Sequence, residues 1–296
     1  MKCGFVSLVG RPNVGKSSLL NQILGMKLAI TSNVSGTTRN VIQGIYNDND
    51  SQIIFVDTPG IHKPNNKLGN LMNKRAYNNT EGVDVILFLI DISKGFGKGD
   101  KFILDKIKDK NIPIFLLLNK IDLVKNKEKL LSDINELKEL YDFSEIIPIS
   151  ATKNDNVDVL INCIKKKLDN QERIFDEEEL TNVTTRFVMA EFVREKILEL
   201  THDEIPHTVT CYVENYEEDN KTIHIQVLIV VDRDNIKKII IGKNGSMLKE
   251  IGTRARNDME KFLGKKVFLE TYVKTLKNWR DQEKYFAELG LKDENE

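Results

Sequence analysis

The chain has 296 residues, enough for two domains of ordinary size, and its net charge of −1 points to no particular partner. The three cysteines are far apart and odd in number, which argues against a disulfide framework or a cysteine zinc site and indicates a reducing compartment. The apolar runs are far shorter than the ~20 residues of a membrane helix. The first ten residues have no cleavage motif and predict a strand rather than a signal peptide.

Short apolar runs alternate with helical patterns through the first part of the chain. The alternation predicts an α/β domain over residues 1–170, with a mostly parallel sheet and helices on both faces. Predicted strands lie at 5–9, 53–56, 85–90, 114–118 and 146–149. Predicted helices lie at 16–24, 68–77, 102–110, 127–140 and 157–168. Ligands bind beyond the carboxyl ends of such strands, so motifs there are the candidate site.

Residues 171–184 are polar and acidic without an apolar period, which predicts a linker. Residues 185–296 predict a smaller α+β domain. Its elements are a helix at 185–201, strands at 207–213 and 222–231, helices from 235 and at 246–263, a strand at 266–273 and a closing amphipathic helix near 279–289. Between 236 and 280, twelve Lys or Arg stand against four acids, an excess of 12 − 4 = +8 that would suit a polyanion.

The sequence GRPNVGKS fits the phosphate-binding pattern G-x-x-x-x-G-K-S and lies between a predicted strand and a predicted helix. Its glycines would let backbone N–H groups point at phosphates. Lys16 would reach the β- and γ-phosphates, and the Ser17 hydroxyl would ligate Mg²⁺. A chance match is the alternative for this motif by itself. The predicted nucleotide ligands here are Gly10, Arg11, Pro12, Asn13, Val14, Gly15, Lys16 and Ser17.

Two further elements would respond to the γ-phosphate. DTPG follows the strand at 53–56, where Asp57 would hold Mg²⁺ and Gly60 would donate its N–H to the phosphate, unless it is an ordinary turn. Its neighbours Thr58, Pro59 and Ile61 are assigned to the same site. GTTRN at 36–40 offers a threonine to Mg²⁺. The pattern does not separate the two threonines, Thr37 and Thr38, and we assign Thr38 as the metal ligand.

Two strand ends carry candidate contacts to the base. A carboxylate at Asp122 would accept hydrogen bonds from N1–H and the N2 amino group of guanine, a donor pair that adenine lacks. In the same NKID motif, Asn119 would tie this loop to the phosphate loop, and the Lys120 stem would cover the ring next to Ile121. SAT would give a backbone N–H to the base oxygen from Ser150, Ala151 or Thr152.

These five elements, in this order, resemble the signature of the translation-factor-like GTPases. GTPases of the Ras type carry a Gln just after DxxG, and Ile61 occupies that position here, which predicts slow intrinsic hydrolysis. In similar GTPases an Asn at the position of Asn13 helps to hold K⁺ against the phosphates. We therefore assign catalysis to Lys16, Thr38, Gly60 and Asn13, with GTP or GDP and Mg²⁺ as ligands and K⁺ as a hypothesis.

GKNG, residues Gly242, Lys243, Asn244 and Gly245, stands between two predicted helices. A G-x-x-G loop before a helix clamps the backbone of single-stranded nucleic acid, although helix–helix turns also use glycine routinely. The lysine in the loop, the apolar run at 239–241 and the +8 block favour RNA binding. The order of elements resembles a KH domain of type II, the bacterial type.

RFVMAEFVREKILELTHDEIP, residues 186–206, closely resembles the segment that opens the KH domain of the Era GTPases, so the resemblance covers nearly the whole chain. It implies a monomer that binds the single-stranded 3′ end of small-subunit rRNA and assists rRNA maturation and assembly of the small ribosomal subunit. It also implies a cytoplasmic protein with a peripheral fraction on the inner face of the membrane. The linker lacks the proline that is usual in the family, and Thr152 replaces a usual Lys.

Two other classes of function would use parts of the same sequence. A membrane-signalling switch would use the basic face on anionic lipid rather than on RNA. A GTPase that modifies RNA covalently would need a further catalytic domain, and the sequence contains no motif for one.

Overall fold

The structure is a computed structural model that describes residues 1–34, 36–64, 66–289 and 291. They divide into two compact units. Unit 1 comprises Met1–Ala29, Ser35–Lys63 and Leu71–Asn182, and unit 2 comprises Ile30–Val34, Pro64–Asn70 and Val183–Glu296. Residues 290 and 292–296, which belong to the predicted second domain, lie outside the described residues.

Unit 1 is built on a six-stranded sheet with the strand order β2-β3-β1-β4-β5-β6. Its strands are β1 (Lys2–Gly10), β2 (Ile42–Asn47), β3 (Ser51–Asp57), β4 (Val85–Asp91), β5 (Ile114–Asn119) and β6 (Glu145–Pro148). Neighbouring strands run parallel except β2 and β3. Every residue of β3, β4 and β5 is buried, which explains why these strands are continuous apolar runs without alternation.

Five helices accompany this sheet, and they confirm the predicted α/β class. They are α1 (Lys16–Leu24), α2 (Lys67–Asn78), α3 (Lys98–Ile107), α4 (Lys127–Lys138) and α5 (Val157–Lys167). Helix α3 begins four residues before the predicted start, because the Asp100 carboxylate accepts the Gly97 N–H (2.9 Å) and caps the first turn. Strand β2 was not predicted, because it is a half-buried edge strand whose pattern IQGIYN follows a polar segment.

The predicted linker is bound to unit 1 for most of its length. The buried amide of Gln52 accepts the N–H groups of Ile174 (2.8 Å) and Phe175 (3.0 Å) and donates to the Phe175 carbonyl (2.9 Å). Farther along, the Ile45 N–H donates to the Leu180 carbonyl (2.9 Å). Unit 1 therefore extends to residue 182, whereas the sequence placed the end of the first domain at 170.

Replacing Gln52 by Leu tests this attachment. The substitution removes the side-chain partners of three backbone groups of residues 174 and 175, so we expect the free energy of unfolding to fall by about 1 to 3 kcal/mol. Urea denaturation of the full chain measures the change. Glu172→Gln, at an exposed position in the same segment, is the control. Equal stability of the two variants would contradict the proposed anchoring role.

Unit 2 is an α+β unit, as predicted, with a three-stranded sheet in the order β7-β8-β9. Its elements are α6 (Thr185–Leu200), β7 (Val209–Glu218), β8 (Thr222–Val231), α7 (Asp234–Ile241), α8 (Ser246–Leu263), β9 (Lys266–Thr275) and α9 (Lys284–Glu288). Strands β7 and β8 are antiparallel, and β8 and β9 are parallel. The closing helix is shorter than predicted, because a separate 3₁₀ turn forms at Trp279–Asp281. The buried indole of Trp279 donates to the Thr208 carbonyl (2.9 Å).

Residues 188–198 of helix α6 are all buried, although several of them are charged. The Arg194 guanidinium, 1% exposed, donates to both carboxylate oxygens of Glu191 (2.6 and 2.5 Å). The Lys196 ammonium lies between Glu195 (3.0 Å) and Asp258 of α8 (2.9 Å). Burying charges is costly unless they are paired, and these ion pairs allow a charged helix to lie in the core of unit 2.

Candidate functional site

The loop at 10–17 joins β1 to α1 and carries a buried cation. Gly15 has a φ of 102°, and a Cβ there would lie 2.2 Å from Asn119 Nδ2, so only glycine fits. The Lys16 ammonium folds into the loop and donates to the carbonyls of Gly10 (3.2 Å) and Arg11 (3.1 Å). A helix N-terminus and a buried ammonium group thus adjoin one loop, which is the arrangement that binds phosphate.

Three oxygen-bearing side chains meet beside this loop. The Ser17 hydroxyl donates to Asp57 Oδ2 (2.6 Å) and lies 2.9 Å from the Thr38 hydroxyl. Asp57 Oδ1 is buried and accepts no hydrogen bond from the residues that the structure describes. Hydroxyl and carboxylate oxygens are the ligands that Mg²⁺ prefers, so this cluster, with an unsatisfied carboxylate oxygen, fits that ion.

The charges at this site are held at an energetic cost in the ligand-free chain. Burial raises the pKa of Asp57 to about 6, although Lys16 and the Ser17 hydroxyl act in the opposite direction. Burial likewise lowers the pKa of Lys16 to about 8 against the attraction of Asp57. A bound polyphosphate with a divalent cation would compensate both charges.

Asn119 connects three loops at the edge of the sheet. Its Nδ2 donates to the Val14 carbonyl (2.8 Å), as predicted, and its Oδ1 accepts the N–H groups of Lys120 (2.8 Å) and Ala151 (3.1 Å). The Ala151 N–H, one of the three that SAT could offer to the base oxygen, is donated to Asn119 in this structure. The phosphate loop, NKID and SAT are joined through one amide.

Two further contacts complete the base loop. The Lys120 ammonium donates to the Asn13 carbonyl (2.8 Å) and to Asp91 Oδ2 (2.8 Å). Asp91 was not predicted as a site residue, because its only signal in the sequence is an acid at the end of β4. The exposed Asp122 carboxylate accepts a hydrogen bond from the Ser150 hydroxyl (2.6 Å), which joins SAT to the predicted guanine contact.

Three further predicted residues hold the loops against the sheet or against each other. The buried Thr58 hydroxyl donates to the Leu8 carbonyl (2.8 Å), so it is engaged by the sheet. Ile61, 3% exposed, packs in the core cluster that contains Val9 and Phe88, and an apolar core side chain cannot orient a water molecule. A Cβ on Gly60 would lie 2.7 Å from the Pro12 nitrogen, so the two loops approach each other closely.

The loop after DTPG is attached to α2 by a pair of residues that no sequence motif indicated. The His62 N–H donates to Asn73 Oδ1 (3.3 Å), and Asn73 Nδ2 donates to the His62 carbonyl (2.6 Å). The His62 Nδ1 lies 2.8 Å from the Gly60 carbonyl. The position of Gly60 thus depends on a side chain of helix α2.

In unit 2, the GKNG loop lies between the end of α7 and the start of α8. Gly242 has a φ of 74°, and a Cβ there would lie 2.7 Å from Met247 Cβ, so glycine is required. An open groove next to the loop is lined by Gly245, Leu248, Lys249, Gly252, Thr253, Arg256, Leu269 and Thr271. Within the described part of the chain, no carboxylate is paired with Lys243, Lys249 or Arg256. Apolar walls with unpaired cations suit a single nucleic-acid strand.

Replacing Asp57 by Asn should stabilise the nucleotide-free protein near neutral pH. The pKa of Asp57 in the folded chain, about 6, exceeds its ordinary value of 3.8, so its ionised form lowers stability above pH 6. This cost disappears as the pH falls from 6 through 3.8, because the group is then neutral in both states. We expect an advantage for Asp57→Asn on the order of 2 to 3 kcal/mol at pH 7.5 that is lost near pH 4.

Urea denaturation of the nucleotide-free protein at several pH values checks this expectation. The exposed Asp109 provides the matched control, Asp109→Asn. An advantage of Asp57→Asn that stays constant between pH 7.5 and pH 4 would show that the carboxylate is not held at a cost.

Both parts of the chain match known protein families. Residues 5–120 match the family model described as 50S ribosome-binding GTPase, and residues 204–280 match the model described as KH domain. A crystal structure of an Aquifex aeolicus Era variant bound to GDP.AlF4⁻ is 41% identical, with a TM-score of 0.95. A second crystal structure, Era in complex with MgGDPNP and nucleotides 1506–1542 of 16S ribosomal RNA, has the same identity and TM-score.

Each comparison covers 98% of this chain and 99% of the other, so the likeness includes both units rather than the nucleotide-binding part alone. The predicted type of each domain, a P-loop GTPase domain followed by a KH domain, is confirmed. The chain belongs to the Era family of GTPases.

Proposed function

We propose that this GTPase is a slow GTP-hydrolysing switch that binds the 3′ end of small-subunit rRNA through the groove beside GKNG. The observation that carries the proposal is that one chain contains both a magnesium-type oxygen cluster at a phosphate loop and an unpaired cationic groove at a G-x-x-G loop. The full-length likeness to an Era complex that contains MgGDPNP and 16S rRNA supports it.

In the proposed mechanism, Ser17, Thr38 and Asp57 would hold Mg²⁺, which would supply positive charge to neutralise the β- and γ-phosphates. Lys16 already lies inside the phosphate loop and would exchange its bonds to the Gly10 and Arg11 carbonyls for phosphate oxygens. Thr38 and Gly60 stand on separate loops that would meet at the γ-phosphate. Loss of that phosphate on hydrolysis would release both loops, which makes the site a switch.

Slow hydrolysis follows from the residue after DTPG. Ile61 is in the core, so the chain has no side chain at this position to orient the attacking water. The neighbouring His62 ring lies with Nδ1 2.8 Å from the Gly60 carbonyl, a contact within the same loop. Stimulation by K⁺ through Asn13 stays a hypothesis.

Replacing Asp122 by Asn tests the assignment of the base. Asn can accept one hydrogen bond from N1–H but presents an NH₂ group to the guanine amino group, whereas xanthine has a carbonyl oxygen there. We expect affinity for GTP to fall about 100-fold and affinity for xanthosine triphosphate to rise. Titration with fluorescent nucleotides measures both, and Asp142→Asn at an exposed position is the control. An unchanged preference for GTP would refute the role of Asp122.

Replacing Gly245 by Asp tests the RNA groove. Gly245 has a φ of 78°, and a Cβ there would have no other atom within 4 Å, so the variant combines modest backbone strain with a carboxylate facing bound phosphate. We expect RNA affinity to fall more than tenfold while GTP hydrolysis is unchanged. A labelled single-stranded RNA with the sequence of the 16S 3′ end is the probe.

Gly264→Asp is the matched control, because Gly264 has a similar φ of 65°, an equally open surrounding and a position at the other end of α8. If both variants lost RNA affinity equally, the cause would be strain in α8 rather than the new carboxylate in the GKNG loop. Binding to vesicles of anionic lipid tests the alternative function, a membrane-signalling switch, because a lipid-binding basic face would tolerate Gly245→Asp.

The finer parts of the proposal rest on the family resemblance. They are assistance in rRNA maturation and small-subunit assembly, a monomeric state, and a cytoplasmic location with a peripheral membrane fraction. Among the residues that the structure describes, every helix is too short or too polar to cross a bilayer.

A further inference from the structure

One face of the sheet in unit 2 carries exposed aromatic rings among carboxylates, and neither proposed site uses it. Phe268 and Tyr272 of β9 are 53% and 46% exposed. The strand register places Tyr212 and Glu217 of β7 on the same side, two strands away. We define the acidic aromatic face as Tyr212, Glu214, Glu217, Phe268, Glu270 and Tyr272.

This face is distinct from the RNA groove although both use β9. Successive residues of a strand point to opposite sides of the sheet. Leu269 and Thr271 line the groove, so Phe268, Glu270 and Tyr272 point away from it. A ligand on the acidic aromatic face would therefore leave the groove free.

The carboxylates of this face are not neutralised by cations. In the described part of the chain, each of them accepts hydrogen bonds only from neutral donors. The Tyr212 hydroxyl donates to Glu214 (3.4 Å), and Asn215 Nδ2 donates to Glu217 (3.0 Å). Glu270 accepts hydrogen bonds from Gln226 Nε2 (2.8 Å) and from the Tyr272 hydroxyl (3.3 Å).

The electrostatic effect is visible at Tyr272. The Glu270 carboxylate raises the pKa of the Tyr272 hydroxyl above its ordinary value, and Glu214 adds to the effect. Strand β9 also carries Lys266 and Lys274 on this side, but they stand at its two ends, and the Lys266 ammonium lies 3.9 Å from Glu260. The centre of the face is therefore negative.

Charge decides between two possible ligands. Exposed aromatic rings on a sheet can stack RNA bases, but RNA binding also requires neutralised phosphates, which three unpaired carboxylates would repel. A guanidinium or ammonium group instead stacks on aromatic rings and pairs with carboxylates. We propose that the acidic aromatic face binds an arginine- or lysine-rich segment of another protein.

The test uses the full chain and a fluorescein-labelled peptide of alternating arginine and glycine, followed by anisotropy. We expect saturable binding that weakens about tenfold in the double variant Phe268→Ala/Tyr272→Ala and in Glu270→Lys. The groove variant Lys249→Glu should bind the peptide as the wild type does while losing the labelled single-stranded RNA. Unfolding midpoints of all variants confirm that each is folded.

Glu178→Lys, at an exposed position of unit 1, changes the net charge as Glu270→Lys does and serves as the matched control. An equal loss of peptide binding in both variants, or no saturable binding to the wild type, would overturn the proposal. Loss of RNA affinity in Phe268→Ala/Tyr272→Ala with normal peptide binding would also overturn it and would identify the face as a platform for bases. If only the expected loss of RNA binding in Lys249→Glu failed to appear, the proposed RNA groove would be wrong and the proposal for the acidic aromatic face would stand.

Discussion

The burial of Lys16 and Asp57 at the carboxyl edge of the unit 1 sheet is the constraint on which the nucleotide site depends. Both groups are taken out of water, and burial moves both pKa values toward the neutral forms. Asp57 Oδ1 has no hydrogen-bond donor among the described residues. The site is thus electrostatically incomplete without a ligand, and much of its affinity for a metal–polyphosphate complex would come from completing it.

The loops at this edge of the sheet are held in position by side chains that connect one loop to another. Asn119 joins the phosphate loop, NKID and SAT, and Lys120 adds a second connection through Asn13 and Asp91. The loop that carries Gly60 has its own attachment, through Asn73 of α2. The loops predicted to contact the base are therefore bonded to the phosphate loop through side chains, whereas the loop that carries Gly60 is bonded to it through the backbone, where the Ile61 N–H donates to the Gly10 carbonyl (3.3 Å).

Unit 2 uses the alternation of a single strand to separate two surfaces. Odd-numbered residues of β9, such as Leu269, line the cationic groove, and even-numbered residues, such as Glu270, form the acidic face. Lys249 and Arg256 line the groove, whereas Glu270 lies on the opposite side of the sheet. Opposite charge on opposite sides of one sheet allows two ligands of opposite charge to bind without competing.

The sequence by itself determined the order of most elements, the two fold classes and the motif residues, because these depend on local periodicity and on fixed spacings around glycine. It missed β2, because an edge strand buries only part of one face, and it ended the first domain early, because the attachment of residues 174 and 175 to Gln52 is a contact across 122 residues. Only the tertiary structure brought Thr38 rather than Thr37 next to Ser17, added Asp91 and Asn73, and directed the Ala151 N–H to Asn119. The physical reason is the same in each case: hydrogen bonds between distant loops depend on where the sheet places their ends, and that placement leaves no local pattern in the chain.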